Sequence, residues 1–204
     1  MKVKNNLPRL AFDILHLLIF CALTAPALAL THRAYTAGSA AGLSSTLLFA
    51  GIPVFYLIFL AGLLATAKLF FLAVRKPRPG LYDFPSHPEC LLWLLRFSVQ
   101  KVLYLPLFSN FLLGSTIFRH MLLKTLGCDS KFSVDTASSA ILLDPYLIHF
   151  GEGSMVATDA LVAGHYVHKN KLLLAEVHLG DRVQISGFAK VFPGVSIGDG
   201  TTVG

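Results

Sequence analysis

Charged side chains are scarce in this chain: Asp, Glu, Lys and Arg together make up 14% of its 204 residues. With 54% hydrophobic residues and a mean hydropathy of +0.66, this scarcity excludes an ordinary soluble domain. It indicates a membrane protein with a modest soluble part. Cysteine is also scarce, and Cys21, Cys90 and Cys128 form neither a CxxC pair nor an even set. This excludes a disulfide framework and a zinc knuckle.

Acidic residues are few relative to basic ones, with 11 Asp and Glu against 17 Lys and Arg and a net charge of +6. A basic chain can bind nucleic acid, but here the bases cluster beside apolar segments. We therefore interpret the charge as attraction to anionic membrane lipid and predict no nucleic-acid partner.

Two apolar runs lie near the N-terminus, at residues 10–30 and 43–67. Each has the roughly 20 residues that a bilayer-spanning helix needs, and no charged pair interrupts the middle of the second, which argues against a transporter. Only Arg33 lies between the runs, whereas basic residues flank the pair on both sides. The flanking bases are Lys2, Lys4, Arg9, Arg75, Lys76 and Arg78. The positive-inside rule thus predicts two transmembrane helices within residues 1–80, a multi-pass inner (cytoplasmic) membrane protein, and cytoplasmic ends.

The first run has an alternative interpretation as a secretory signal peptide. Lys2 and Lys4 precede an apolar stretch that ends at Ala27-Leu28-Ala29, a possible cleavage site. The run is long for a signal peptide and Pro26 interrupts it late, so we favour a retained span.

Residues 81–125 are apolar but contain too many charges for a clean third span. Arg96, Lys101, Arg119 and Lys124 are spread along the segment. We predict two or three amphipathic helices, broken at Pro106 and Gly114, that lie on the inner leaflet. A re-entrant hairpin and a buried soluble helical pair are the alternatives.

In the last quarter of the chain an aliphatic residue occurs at every sixth position. These residues are Leu179, Ile185, Val191, Ile197 and Val203. A period of six fits neither a helix nor one long strand, but it fits a solenoid in which each hexad is a short strand plus a turn. Traced backwards, the step passes through Val162, Val156 and Phe150 and then puts Asp144 and Ser138 in aliphatic positions. Between Val162 and Leu179 the register slips by one residue, which predicts a loop that bulges out near residues 165–175.

This pattern resembles the left-handed β-helix of the hexapeptide-repeat acyltransferases. The order DPYLIHFGEG, then GH followed by KNKLLL, then VHLGDRV and VFPGVSIGDG is most similar to the terminal membrane domain of ε-poly-lysine-synthetase-type peptide synthetases and their free-standing relatives. The resemblance covers residues 111–204 and implies membrane α-helices followed by a left-handed parallel β-helix (β-solenoid) at residues 126–204. The sequence stops in mid-repeat at Gly204, so we expect this β-helix to be incomplete.

The resemblance also implies a reaction. In that family a histidine at the start of such a loop is the general base, and here it corresponds to His165. An acceptor hydroxyl or amine must lose a proton as it attacks a thioester carbonyl, and an imidazole is suited to take it. The implied function is a membrane-bound acyltransferase that moves an acyl or aminoacyl group from coenzyme A or carrier-protein pantetheine. The thioester is a co-substrate, and neither a tightly bound cofactor nor a metal ligand is implied.

The resemblance suggests further site residues and partners. Asp144 is a candidate to orient His165 or bind the acceptor, and Ser186, Gly187 and Lys190 are candidates for the coenzyme A site one coil later. The alternatives without a catalytic role are that His165 is an ordinary turn histidine and that Asp144 and Pro145 only form a turn. Relatives place their active sites between adjacent β-helices, which implies a homo-oligomer, expected to be a trimer. Membrane lipid and a peptide synthetase are the other expected partners.

Two other functions stay open from the sequence. A γ-type carbonic anhydrase uses the same β-helix with three histidines on zinc, and this chain has His149, His165, His168 and His178. Its loop has a His-x2-His spacing where that family has His-x4-His, which argues against the zinc interpretation. The second alternative is a non-catalytic membrane-tethered β-helix scaffold.

Overall fold

The computed structural model describes residues 7–204 of the chain. These residues form two compact units, one up to Leu72 and the other from Ala73 to Gly204. The first unit is helical and consists of α1 (Leu7–Ala40), α2 (Ser45–Ala50) and α3 (Ile52–Ala73).

The predicted apolar helices are present. The segments Ala11–Ala40 and Ile52–Ala73 are each long and apolar enough to cross a membrane. The first helix is longer than the apolar run at residues 10–30, since α1 continues through most of residues 31–42, the segment between the two apolar runs. Alanine is the strongest helix former, and this segment is rich in it. The chain turns only at Gly42, whose φ of 81° lies in the left-handed region that glycine favours.

Helices α1 and α3 pack closely within the first unit. A Cβ atom added to Gly62 would lie 3.0 Å from the Cα atom of Ala27. Thr66 Oγ1 also donates a hydrogen bond to the backbone oxygen of Leu23 at 3.1 Å. Small residues that allow close backbone contact, together with a polar hydrogen bond between helices, are typical of helix pairs in membranes.

The second unit begins with a short strand, β1 (Gly80–Asp83), and three helices. These are α4 (Pro88–Leu103), α5 (Pro106–Gly114) and α6 (Thr116–Leu126). The breaks fall where the sequence predicts them, at Pro106 and after Gly114. Helices α4 and α5 meet at 78°, as in a broken span or re-entrant loop. The placement of these helices on the inner leaflet is untested and stays a prediction.

An ion pair joins the segment that follows α3 to the start of α4. The Arg75 guanidinium donates to both carboxylate oxygens of Glu89, at 2.6 and 3.1 Å, and the backbone N–H of Arg78 donates to one of them at 3.0 Å. The hydrogen bond from Arg75 holds the pKa of the largely buried Glu89 below its usual value. Arg75 and Arg78, two of the basic residues that flank the predicted spans, thus also hold the start of α4 in place.

Short strands make up the rest of the second unit. The first five are β2 (Asp135–Thr136), β3 (Ile141–Leu143), β4 (Ile148–Phe150), β5 (Met155–Val156) and β6 (Leu161–Ala163). A hairpin follows, formed by β7 (His165–His168) and β8 (Lys171–Leu174). The last five are β9 (Val177–Leu179), β10 (Gln184–Ile185), β11 (Lys190–Val191), β12 (Ser196–Ile197) and β13 (Thr202–Val203).

Outside the hairpin, the chain visits three parallel sheets in turn and adds one strand to each on every circuit. The sheets are β2-β5-β10-β13, β3-β6-β11 and β4-β9-β12. We call this three-sided arrangement the parallel coil. The prediction of long apolar helices followed by parallel sheets is therefore confirmed, and left-handed winding stays a prediction from the resemblance.

The hexad residues form the interior of the parallel coil. The buried members are Phe150, Val156, Val162, Leu179, Ile185 and Val191. They belong to one hydrophobic cluster that also contains the fifth-place residues Val183 and Ala189. Burial of each large aliphatic side chain stabilises the fold by about 1.5–3 kcal/mol, so the six-residue period encodes the core directly.

The backward trace of the hexads is wrong before Phe150. Thr136 pairs with Val156 and Leu142 pairs with Val162, so the aliphatic position is at Leu142 and not at Asp144. The cause is a corner after β3, where a 3-10 turn at Pro145–Leu147 lengthens the circuit. Asp144 lies in this corner with a φ of 56°.

The predicted excursion near residues 165–175 is confirmed as an antiparallel hairpin. Strand β8 pairs with β7 and also with β1, so three antiparallel strands form a small sheet beside the parallel coil. Lys171 Nζ forms an exposed ion pair with Asp83 at 2.6 Å across this sheet. The hairpin is the point where the chain departs from regular winding, and His165 is its first residue.

Candidate functional site

Two paired strands bring Asp144 and His165 together. Strands β3 and β6 lie side by side with Leu143 opposite Ala163. The chain leaves β3 into the Asp144 corner and leaves β6 through Gly164 into the hairpin. The backbone N–H of Gly164 donates to the oxygen of Leu143 at 2.9 Å, which keeps the two exits adjacent.

The His165 ring forms a hydrogen bond with the Asp144 side chain, from Nδ1 to Oδ2. Asp144 is 1% exposed and the His165 side chain is 13% exposed. An ionised carboxylate only accepts hydrogen bonds, so it favours the tautomer with the proton on Nδ1. The Nε2 lone pair is then the one that remains for another molecule.

Helix α4 supplies the other partners of Asp144. The indole N–H of Trp93 donates to Oδ1 at 3.0 Å. The backbone N–H of Asp144 donates to Gln100 Oε1 at 3.1 Å, and Gln100 Nε2 donates to the oxygen of Leu142 at 2.6 Å. A carboxylate this deeply buried needs such donors, because an unpaired buried charge is strongly destabilising.

Aromatic rings enclose the His165 imidazole. Trp93 and Phe97 contact it edge to face, with ring centroids 4.8 and 5.3 Å away, and they stack on each other at 5.2 Å. The sequence analysis missed Trp93, Phe97 and Gln100 as site residues. Their spacing of i, i+4 and i+7 puts them on one face of α4, and this mixed aromatic and polar stripe is the signal that marks them.

The glycine of the GH pair has a steric role. A Cβ atom on Gly164 would lie 2.8 Å from Leu147 Cβ and 3.2 Å from Asp144 Cβ. The corner and the start of the hairpin approach too closely for any larger residue. Gly164 therefore permits the contact between Asp144 and His165.

The three predicted coenzyme A residues lie one circuit after the dyad. Ser186 and Gly187 begin the turn between β10 and β11, and Lys190 is exposed in β11 opposite Leu161 of β6. No hydrogen bond among the described residues joins them to His165 or Asp144. Lys190 lies against β6, the strand that leads to the hairpin, and Gly187 lies near Thr158 in the turn before that strand. The role of the three residues in donor binding stays a prediction.

The cavities along the hairpin lie on its other face. Successive residues of a strand point to opposite faces, so Tyr166 faces away from the His165 ring. Tyr166 lines a cavity of about 310 Å³ with Leu173, Phe192 and Pro193. It also lines one of about 350 Å³ with Leu81 and residues of β7 and β8. His165 lines neither of these cavities.

Two of the four histidines named for the zinc interpretation are brought together. His149 of β4 pairs with His178 of β9, and their rings stack at 4.6 Å. His165 is bonded to Asp144, and His168 lies at the end of β7 opposite Lys171. The described residues contain no cluster of three histidines. The carbonic anhydrase alternative stays an untested prediction.

Replacing Trp93 by phenylalanine should destabilise the second unit by about 1–3 kcal/mol. The variant retains an aromatic ring but leaves Oδ1 of the buried Asp144 without its donor. Thermal unfolding can be followed with a thiol-reactive dye, since Cys90 and Cys128 are buried. Phe97→Leu is the matched control, because it alters the packing against His165 and removes no donor. Equal shifts in the two variants would show that the indole N–H contributes nothing.

Comparison of the chain with protein-family models, with curated proteins and with solved structures finds no match. The residues that bear on function are therefore the dyad of Asp144 and His165 and the α4 side chains that hold it, at the point where the chain leaves the parallel coil.

Proposed function

We propose that this chain is a membrane-bound acyltransferase with a left-handed β-helix of the hexapeptide-repeat type. The observation that carries the proposal is the buried Asp144 carboxylate hydrogen-bonded to Nδ1 of His165. The pair occurs at the first residue of the excursion, which is the position that the resemblance gives to the general base. A histidine that only fills a turn does not need a buried carboxylate that is itself held by the indole N–H of Trp93.

The reaction follows from the free nitrogen of His165. The acceptor hydroxyl or amine gives its proton to Nε2 as its oxygen or nitrogen attacks the thioester carbonyl. The tetrahedral intermediate then collapses, the C–S bond breaks, and the leaving thiolate takes the proton back from the imidazolium. Asp144 fixes the tautomer and stabilises the imidazolium while it exists.

The donor is a thioester of coenzyme A or of carrier-protein pantetheine, bound along the circuit that contains Ser186, Gly187 and Lys190. The exposed Lys190 ammonium suits the phosphates of such a donor. The resemblance favours a trimer in which a second copy of the chain completes the site. The basic residues around the spans support attachment to the inner membrane with the parallel coil on the cytoplasmic side. An aminoacyl donor would come from a peptide synthetase.

The test is acyl transfer by the full chain in lipid nanodiscs. Acyl-coenzyme A or an aminoacyl-pantetheine thioester is supplied with a panel of hydroxyl and amine acceptors, including lipid headgroups. We expect thiol release that depends on an acceptor, and a mass increase of that acceptor by one acyl or aminoacyl group. Thiol release that no acceptor accelerates, or no release from either donor, would contradict the proposal and favour the scaffold.

A further inference from the structure

A second cluster of titratable side chains lies on the sheet that contains β4 and β9. His149 and His178 occupy paired positions on the outside of this sheet, and their rings stack 10° from parallel. Glu176 precedes β9. Its Oε2 lies 3.3 Å from Nε2 of His178 and 3.8 Å from Nε2 of His149. One potential ligand atom from each of the three residues thus lies within 4.8 Å of the other two.

The electrostatics of His149 call for a cation at this point. Its Nδ1 lies 3.5 Å from a carboxylate oxygen of Asp129, and its Nε2 is buried without a hydrogen-bond partner among the described residues. A neutral imidazole has only one N–H. When that proton is on the Asp129 side, the Nε2 lone pair faces the Glu176 carboxylate. Two electron-rich atoms face to face are unfavourable unless a positive charge lies between them, and either a second imidazole proton or a bound cation supplies it.

We infer that His149, Glu176 and His178 bind a divalent transition-metal ion of the Zn²⁺ type. Two imidazole nitrogens and one carboxylate oxygen suit this class of ion better than Mg²⁺ or Ca²⁺. Bonds of about 2.0–2.1 Å in tetrahedral geometry put donor atoms about 3.3 Å apart, close to the separations of Glu176 from the two rings. Water can fill the fourth position, since Glu176 and His178 are exposed.

Asp129 completes this arrangement as a partner of a ligand. A metal-bound histidine commonly donates its other N–H to a carboxylate, which fixes its orientation and tautomer. The backbone also supports this role, because Asp129 forms an isolated parallel bridge with His149. The sequence analysis names His149 and His178 only among the histidines of the zinc alternative, which the His-x2-His spacing argues against. It does not name Glu176, and the two segments that meet here are separated by the whole hairpin.

The site has a structural consequence that does not depend on the proposed catalysis. His149 lies in the strand that follows the Asp144 corner, and Glu176 and His178 follow the hairpin that begins at His165. A metal ion held by all three adds a side-chain link to the existing backbone pairing of β4 with β9. It thus strengthens the contact between the strand that follows the Asp144 corner and the strand that follows the hairpin.

Calorimetric titration of the full, untagged and chelator-treated chain with Zn²⁺ in detergent tests the inference. We expect saturable binding of about one Zn²⁺ per chain and, with Co²⁺ instead, the visible absorption of a four-coordinate ion. His178→Ala and Glu176→Gln should each weaken Zn²⁺ binding by more than tenfold, and Asp129→Asn by about 10- to 100-fold. His168→Ala is the matched control and should bind Zn²⁺ as the wild type does.

Glu176, His178 and Asp129 are exposed, so their metal-free variants should melt at the wild-type temperature, and Zn²⁺ should raise that temperature only where binding is retained. The inference is overturned if the wild type lacks saturable binding. It is also overturned if both ligand variants bind Zn²⁺ with wild-type affinity, because the ion then binds elsewhere. Neither result bears on acyl transfer, which is measured separately.

Discussion

Replacing His165 by alanine should lower the rate of acceptor-dependent acyl transfer by about 10²- to 10⁴-fold, the range typical for the loss of a general base. The physical reason is that the variant lacks the imidazole that takes the acceptor proton as the thioester is attacked. The measurement is thiol release from the acyl thioester in nanodiscs, with and without acceptor. The thioester is already activated, so the residual rate should reflect substrate binding alone.

Two further variants separate catalysis from folding. Alanine at position 165 leaves the buried Asp144 without one of its partners, which itself destabilises the fold. Glutamine retains an amide N–H for the carboxylate but cannot act as a base, so His165→Gln should melt near the wild-type temperature and still be inactive. His168→Ala removes an exposed imidazole from the same strand and should leave the rate unchanged.

The dyad also predicts that the effects of its two members are not additive. Asp144 acts through His165, so Asp144→Asn should slow the wild type but change little in the His165→Gln background. A His165→Gln variant that transfers acyl groups within about threefold of the wild-type rate would rule out the general-base role.

The parallel coil is predictable from sequence because its core is encoded locally. One aliphatic residue per hexad becomes one inward side chain per strand, as Leu179, Ile185 and Val191 show. The backward trace of the hexads gives the first circuit the wrong register, because the extra residues of a corner interrupt the six-residue period. A 3-10 turn at Pro145–Leu147 has no six-residue signature, so the backward trace continued through Asp144 as if the winding were regular.

The candidate site was only partly predictable, for a different reason. The resemblance selected Asp144 and His165, which the structure brings into contact, but the argument that Asp144 occupies an aliphatic position is wrong. The α4 side chains that hold Asp144 are Trp93, which donates to it, and Gln100, which accepts from its backbone N–H. The hydrogen bond from Trp93 spans 51 residues of chain. A contact at that separation depends on the packing of α4 against the corner, and no local period records it.

The N-terminal helices show a similar division between what sequence patterns encode and what they leave out. Hydropathy identified both apolar helices, because about 20 consecutive apolar residues are sufficient evidence for a span. It did not identify the end of α1, because Ala, Gly and Ser are only moderately apolar while alanine still favours helix. The helix end is set by the turn at Gly42 and not by the end of the apolar run.

Gly151→Ala should destabilise the second unit by about 3 kcal/mol and lower its melting temperature by about 6–12 °C. Gly151, Gly180 and Gly198 each follow a hexad residue and occupy the same corner on successive circuits. A Cβ atom on Gly151 would overlap the backbone of Gly180 and Asp181. The two circuits have little freedom to separate, because the Gly151 N–H donates to the oxygen of Leu179 at 2.7 Å.

Gly198→Ala is the matched control, since the same substitution one corner later meets no atom within 4 Å among the described residues. It should change stability by less than about 0.5 kcal/mol. Trp93 is the only tryptophan and is buried in the second unit, so its fluorescence reports the unfolding of this unit in both variants. Equal melting temperatures for the two alanine variants would mean that the circuits are not stacked in the register described here. In that case the contact between Asp144 and His165, which depends on the same stacking, would also be wrong.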